Sequence, residues 1–321
     1  MNVGTMKPRT VAALGAAIAL VLSGCGGDEA PSSPGDGGDG GGEAASSELD
    51  GASFLVGAKE FTESQVLAQI TAAVLENAGA EIDDTALSGS ATVREALESG
   101  EIDMYWEYTG TGWVNILGNT TEDVPEDLFA AVSEADAAND IAWLPAAPMN
   151  DTYRIAVKTE FAEAEGLASM SDAVAYIESN PDDGVVCAAS EFINRDDGLP
   201  GLEEAYGFEF TDVVELDLGL IYTQVGDTCS FGEVFSTDGR IIANELTILE
   251  DDEAFFVDYN AALTMRQETL DEYPAIEELM APISEALTDE AITDLNARVD
   301  VDGETQEDVA RDWLEENGLL G

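Results

Sequence analysis

Four short stretches carry the residue types able to hold a small charged molecule. They are Ala58-Lys59-Glu60-Phe61-Thr62-Glu63, Glu107-Tyr108-Thr109-Gly110-Thr111-Gly112, Asn150-Asp151-Thr152-Tyr153 and Glu191-Phe192-Ile193-Asn194-Arg195-Asp196-Asp197-Gly198. Each sets an aromatic ring beside hydroxyls, carboxylates or a cation, a mixture foreign to plain core. Each also borders a predicted strand, where open α/β sheets place their ligands. Bond-making chemistry finds no footing. The chain has no His, no G-x-S-x-G and no phosphate-cradling loop. Acidic neighbours are so common that their pairing in sequence carries no signal. Without His, metal-type Cys spacing or a D-x-[DN]-x-[DN]-G loop, no metal or other cofactor is expected.

The elements that must position these stretches read as alternating strands and helices. Phe54-Leu55-Val56-Gly57 is a buried strand, and Thr62-Glu63-Ser64-Gln65 predicts a capping box. The helix behind it places Val66, Ile70, Ala73, Val74 and Asn77 on one stripe, stopped by Gly79. A Gly-Ser turn at 88–90 leads into a short helix through Val93, Ala96 and Leu97, closed by Gly100. Ile102-Asp103-Met104-Tyr105-Trp106 alternates like a strand, and 153–157 and 185–188 continue the pattern. This order predicts α/β lobes with mainly parallel sheets. Ser169-x-x-Asp172 caps a helix that Pro181 ends. Thr305-x-x-Asp308 caps a last helix with Val309, Ala310, Trp313 and Leu314 on one face.

The N-terminus addresses the chain outward. Lys7 and Arg9 precede an unbroken apolar run over 11–22, followed by Leu22-Ser23-Gly24-Cys25. A run that short with small residues behind it reads as a signal peptide. Leu-Ser-Gly-Cys resembles the bacterial lipobox, whose Cys becomes the lipidated first residue of the mature protein. Residues 26–47 are Gly, Ser, Pro and acid, so a flexible tether is expected there, extending to 52. With Cys25 lipidated, Cys187 and Cys229 remain, and outside the cell an even pair favours a disulfide. No other apolar run is long enough to span a bilayer.

Charge sets the other bound. The chain has 11 basic against 68 acidic residues, a net of −57, yet is 45% apolar. That composition marks a halophile surface over an ordinary core, and the absence of a basic face excludes nucleic acid as a partner. Outside the leader the basic residues are Lys59, Arg94, Arg154, Lys158, Arg195, Arg240, Arg266, Arg298 and Arg311. Cations this scarce point to specific anionic partners.

Five blocks in order carry a family likeness: G-x-K-x-F-T-E at 57–63, I-D-x-Y-x-E-Y-T-G-T at 102–111, E-F-x-x-R-x-D-G at 191–198, F-S-T-D-G-R-I at 235–241 and D-Y-N-A-A at 258–262. The chain from 54 to 321 resembles the glycine betaine/choline/carnitine substrate-binding proteins of osmoprotectant ABC importers. The resemblance implies a two-lobed type II periplasmic-binding-protein fold, a monomer, and delivery of a quaternary-ammonium small molecule to membrane permease subunits. It implies an aromatic box of Tyr108, Tyr153, Phe235 and Tyr259. A trimethylammonium group offers no N–H, so ring faces must hold it by dispersion and cation–π attraction. Phe235 stands where the family usually carries Tyr, which keeps the ring face and loses a hydroxyl. The resemblance assigns the ligand's carboxylate to Lys59, Arg195 and the Thr111 hydroxyl, with Asp151 orienting the box or lining the ammonium. Lys59 favours a carboxylate-bearing ligand over choline.

The expected organisation is a leader over 1–25, the tether over 26–52, lobe one from 53–152 and 253–321, and lobe two from 153–252. Two other classes remain open, a binding protein for another small zwitterion or amino acid, and a lipid-anchored sensor of the same fold. The acidic surface yields a first prediction. Raising salt shortens the Debye length from about 10 Å at 0.1 M to about 3 Å at 1 M, so the melting temperature should climb between those concentrations. A melting temperature flat from 0.1 M to 3 M would contradict the screening argument.

Overall fold

Among the described residues ten strands carry the fold: β1 (Ser53–Lys59), β2 (Glu81–Leu87), β3 (Met104–Tyr108), β4 (Ile141–Trp143), β5 (Tyr153–Lys158), β6 (Val185–Ala188), β7 (Asp212–Glu215), β8 (Phe231–Phe235), β9 (Leu246–Ile248) and β10 (Ala261–Arg266). The structure is a computed structural model that describes residues 48–320. The leader, Cys25 and the tether up to residue 47 lie outside the described residues. The tether expected to reach 52 ends sooner. Leu49 and Ala52 are buried, and the Leu49 amide donates to the Ala78 carbonyl, so the folded body already includes them. Leu49, the first large apolar residue after the leader, has a core site to fill.

The strands form two sheets of five, ordered β2-β1-β3-β10-β4 and β7-β6-β8-β5-β9. The expectation of mainly parallel sheets is corrected. In each sheet two pairings are parallel, β1 with β2 and β3, and β6 with β7 and β8. The other two in each are antiparallel, made by β10 and by β5. These two strands are the ones the chain enters on passing from one sheet to the other. Both are apolar runs, and composition says nothing of strand direction. The alternation read at 102–106 is also corrected. All five residues of β3 are buried, with helices packed on the strand and β1 and β10 flanking it in the sheet.

Helix Thr62–Asn77 presents Val66, Ile70, Ala73 and Val74 to the core as its periodicity predicts, and Gly79 with φ +100° breaks it. The capping box at its start does not form. Thr62 instead donates to Asp300 at 2.6 Å, Ser64 Oγ accepts from the Lys59 amide at 2.8 Å, and Gln65 donates to the Glu60 carbonyl. Tertiary partners outcompete the local cap. At Ser169 the reciprocal box with Asp172 does form, and Thr305 accepts from the Asp308 amide. Val309, Ala310, Trp313 and Leu314 are all buried.

Most of the scarce cations find acids. Arg94 grips Asp136 with two 2.6 Å bonds, Arg266 pairs with Asp103, and Arg298 with Glu304 and Asp312. Arg154 lies over the Phe256 ring and Lys158 donates to the Asn244 carbonyl.

Cys187 in β6 is disulfide-bonded to Cys229, just before β8, with Cα atoms 5.6 Å apart. The bond closes a loop of sequence separation 42, which restricts the unfolded chain by about 4 kcal/mol in the chain-entropy account. Replacing both cysteines by Ser should lower the unfolding free energy by a few kcal/mol and steepen the denaturant slope, as the released unfolded chain exposes more surface. Unchanged stability would show that the reduced chain is already as restricted.

Candidate functional site

The strand ends supply the residues that line a cleft of about 950 Å³ between the two sheets. Lys59 ends β1, Tyr108 ends β3, and Thr111 opens the π-helical turn Thr111–Ile116 that follows. Tyr153 starts β5 and Phe235 ends β8, directly paired in the antiparallel ladder. Asp151 and Tyr259 sit on the two segments that join the sheets, where the Asp151 amide donates to the Tyr259 carbonyl. Arg195 follows the short helix Ser190–Asn194. All eight sequence-nominated residues, Lys59, Tyr108, Thr111, Asp151, Tyr153, Arg195, Phe235 and Tyr259, border this one cleft.

The rings form a continuous arc. Tyr153 lies 4.9 Å from Phe235 and 5.7 Å from Tyr259 between centroids, the latter edge to face. Phe61, which sequence reasoning left out of the ring set, links Phe235 at 5.1 Å to Tyr108 at 6.0 Å. Its signal was its place in the 57–63 block, two residues after Lys59. Gly110 makes room for the arc, since a Cβ there would stand 2.5 Å from the Tyr259 ring. Cations flank it. Lys59 Nζ is 5.1 Å from the Tyr108 centroid, and the Arg195 guanidinium carbon is 5.3 Å from that of Tyr153.

Both cations already have acids. Lys59 Nζ donates to Glu107 at 2.6 Å, and Glu107 also accepts from the Tyr105 hydroxyl and the Tyr108 amide. One donor of three is thereby committed, leaving Lys59 two for a ligand. Arg195 clamps Asp197 with Nε and Nη2, at 2.8 and 2.5 Å, and donates to Glu191 at 2.8 Å. Its remaining donors make the longer contacts, 3.1 Å to Thr111 and 3.4 Å to the Tyr153 hydroxyl. Asp197 in turn accepts from the Tyr259 hydroxyl at 2.7 Å. Glu191 accepts from the amide and hydroxyl of Ser90 on the other side of the cleft.

Two cleft glutamates show what these cations do. Burial alone would raise Glu191, but Lys59, Arg195 and the Ser90 and Arg195 hydrogen bonds overcome it and hold its carboxyl near about 2. Glu233 on β8, equally a wall of the cleft, is pushed up to about 8 by burial, with the Glu191 charge adding to the rise. Its one compensating bond is from the Ala189 amide at 2.6 Å.

The family model described as the substrate binding domain of the ABC-type glycine betaine transport system matches residues 54–316. The chain belongs to that family. It is 37% identical to a glycine-betaine-binding protein of Pseudomonas aeruginosa over 278 residues, covering 83% of this chain and 88% of that protein. It is 32% identical over 270 residues to the ergothioneine transport permease/ergothioneine binding protein EgtU of Helicobacter pylori, covering 83% of this chain and 48% of that longer protein. Among solved structures, apo YehZ from Escherichia coli superposes with a TM-score of 0.59 at 30% identity, over 83% of this chain and 99% of that one. The two sheets with a cleft between them are the lobes of a type II periplasmic-binding-protein fold. As a family member the chain is the extracytoplasmic solute-binding component of an ABC importer and not an enzyme.

Glu233 yields a prediction. Its folded carboxyl holds its proton more tightly than in the unfolded chain, so its contribution to stability is present below about pH 4.5 and lost as pH rises through about 8. The full loss is of order 5 kcal/mol. Denaturant titrations of Glu233→Gln at fixed salt should show a flatter fall in stability from pH 5 to 9 than the parent chain. Parallel pH profiles would contradict a buried neutral Glu233.

Proposed function

We propose that the cleft binds a quaternary-ammonium osmolyte, glycine betaine foremost, and hands it to an importer's permease. The observation that carries this reading is the arc of Tyr108, Tyr153, Phe235 and Tyr259 with Lys59 and Arg195 beside it. A trimethylammonium group would lie against the ring faces, each worth roughly 0.5–2 kcal/mol as water is excluded. The ligand carboxylate would take the free donors of Lys59 and displace the long contacts Arg195 now makes to Thr111 and Tyr153. Phe235 supplies a face and no hydroxyl, which suits a group that cannot accept or donate a hydrogen bond. Lobe one would comprise 53–152 and 253–321 and lobe two 153–252, closing about the two joining segments on the ligand. The chain would act as a monomer held at the outer face of the membrane through lipidated Cys25, with the tether giving reach.

A second reading has one observation in its favour. The cleft volume of about 950 Å³ is several times that of a small betaine, and a relative is named for ergothioneine. A larger betaine would use the same rings and cation, with its extra bulk toward Leu218 and Leu220.

Calorimetry at high salt tests the first reading. Tyr108→Ala should weaken glycine betaine by about tenfold or more and Tyr108→Phe by less, because the ring face does most of the holding. Lys59→Gln should weaken glycine betaine by about tenfold, as for a lost charge-assisted bond, and choline by under threefold. Equal losses for both ligands on changing Lys59 would mean that it supports the cleft and does not read the carboxylate. An unaffected Tyr108→Ala would remove the aromatic box.

A further inference from the structure

Behind the ring arc lie two buried carboxylates that form no ion pair among the described residues, Glu63 and Asp151. Thr237, on the loop after β8, joins them: its Oγ1 is 2.6 Å from Glu63 Oε2 and 2.6 Å from Asp151 Oδ1. A hydroxyl has one proton and can donate in only one of these contacts. The other must be a donation to the hydroxyl, and only a protonated carboxyl can make it. Glu63 accepts from every other neighbour: the Tyr108 hydroxyl at 2.9 Å on Oε1, and Asn296 Nδ2 at 3.0 Å on Oε2. Its oxygens are those of an ionised carboxylate surrounded by donors. Asp151 has a weaker competing contact, a donation from the Thr237 amide to Oδ1 at 3.5 Å, so the proton belongs on Asp151, which donates it to Thr237, which donates to Glu63.

Burial and then the neighbouring Glu63 charge push the Asp151 carboxyl well above its usual range, while burial raises Glu63 against the pull of its donors. Other charged groups surround the pair. Asp238 and Arg240 face it across a small void from the Thr237 loop, with Arg240 occupied by Asp238. Asp300 receives Thr62 on the helix Asp289–Asp300 that also carries Asn296. Lys59 and Glu107 pair beyond Tyr108, and Asp258 and Asp289 bond to Asn150, next to Asp151. Arg240 and Lys59 are each already matched by an acid, so neither removes the need for the proton.

Asp151 also reaches the main cleft, among the rings. We propose that Asp151 and Glu63 are the counter-charge of the cation site, reduced from two negative charges to one in the ligand-free cleft by a shared proton that an incoming quaternary ammonium displaces to solvent. The step is an exchange of one positive charge for another: the Asp151 O–H bond breaks, the proton leaves to buffer, and the fixed cation takes its place. It rests on the cationic-ligand reading and adds a means of sensing charge that ring faces alone lack. A neutral ligand of the same shape could not drive the proton off.

The test is calorimetry of the full chain with glycine betaine, at matched pH and high salt, in buffers of low and high protonation enthalpy. Release of up to one proton should appear as a buffer-dependent enthalpy, and affinity should rise with pH by up to about tenfold per unit while Asp151 titrates. Asp151→Asn should abolish the release. Glu63→Gln, which removes the charge that lifts Asp151, should cut it by half or more and serves if the first variant does not fold. Glu233→Gln should leave it in place. Glycine betaine binding with a buffer-independent enthalpy overturns the proposal and leaves the ligand reading standing. Release that persists in both pair variants, or is lost only in Glu233→Gln, also overturns it. Failure of glycine betaine and choline to bind at all overturns both.

Discussion

The Arg195 guanidinium is the joint on which the cleft depends. Its planar fork fixes direction as well as charge, and it spends its donors on both sides of the cleft, on Asp197, Glu191 and Tyr153 and across to Thr111. Asp197 passes the constraint to Tyr259, and Glu191 passes it to Ser90. Two of the four box rings are thus located by one side chain before any ligand arrives. Removing a single partner of such a buried ion pair costs about 3–5 kcal/mol, though the intact pair adds little net stability. Its worth lies in preorganisation, which lowers the ordering cost that binding must meet.

Scarcity of cations shapes everything behind that joint. With 11 basic residues for 68 acids, the fold cannot neutralise each buried carboxylate with a partner. It uses three devices instead. Glu107 and Asp197 receive the cleft's own Lys59 and Arg195. Glu191 stays ionised near those two, held down to about 2, whereas Glu233 on the same cleft is pushed up to about 8. Glu63 leans on the neutral donors Tyr108, Thr237 and Asn296, and Asp151 keeps a proton and hands it toward Thr237. The outcome is a cleft whose cations flank the rings at Tyr108 and Tyr153, with Glu63 and Asp151, which form no ion pair among the described residues, behind the rings.

Much of this site was legible from residue type and place. Lys59, Tyr108 and Tyr153 stand at strand ends in stretches too polar for core and too aromatic for a loop, and strand ends are where an α/β cleft forms, whereas Phe235 and Tyr259 lay outside those stretches and were placed by the family resemblance. Phe61 is the aromatic of the first of those stretches, but the resemblance does not count it among the box rings. Asn296 carried no local signal, and Thr237 stood in the 235–241 block without its role showing, since both act through Glu63, 233 and 174 positions away. The same reason defeats the capping box at Thr62, whose hydroxyl finds Asp300 across the fold. Strand direction was hidden because β5 and β10 are buried on both faces like their parallel neighbours. β2, with its acids turned to water, is an edge strand that reads as loop.

If the cleft orients a zwitterion, the ring faces take its ammonium and the cations that flank them take its carboxylate. A crystal structure of the chain grown with glycine betaine measures this directly. The account predicts the trimethylammonium group against the faces of Tyr108, Tyr153, Phe235 and Tyr259, with a carboxylate oxygen within about 3 Å of Lys59 Nζ. A ligand lying in the reverse orientation, or density outside the ring arc, would contradict it.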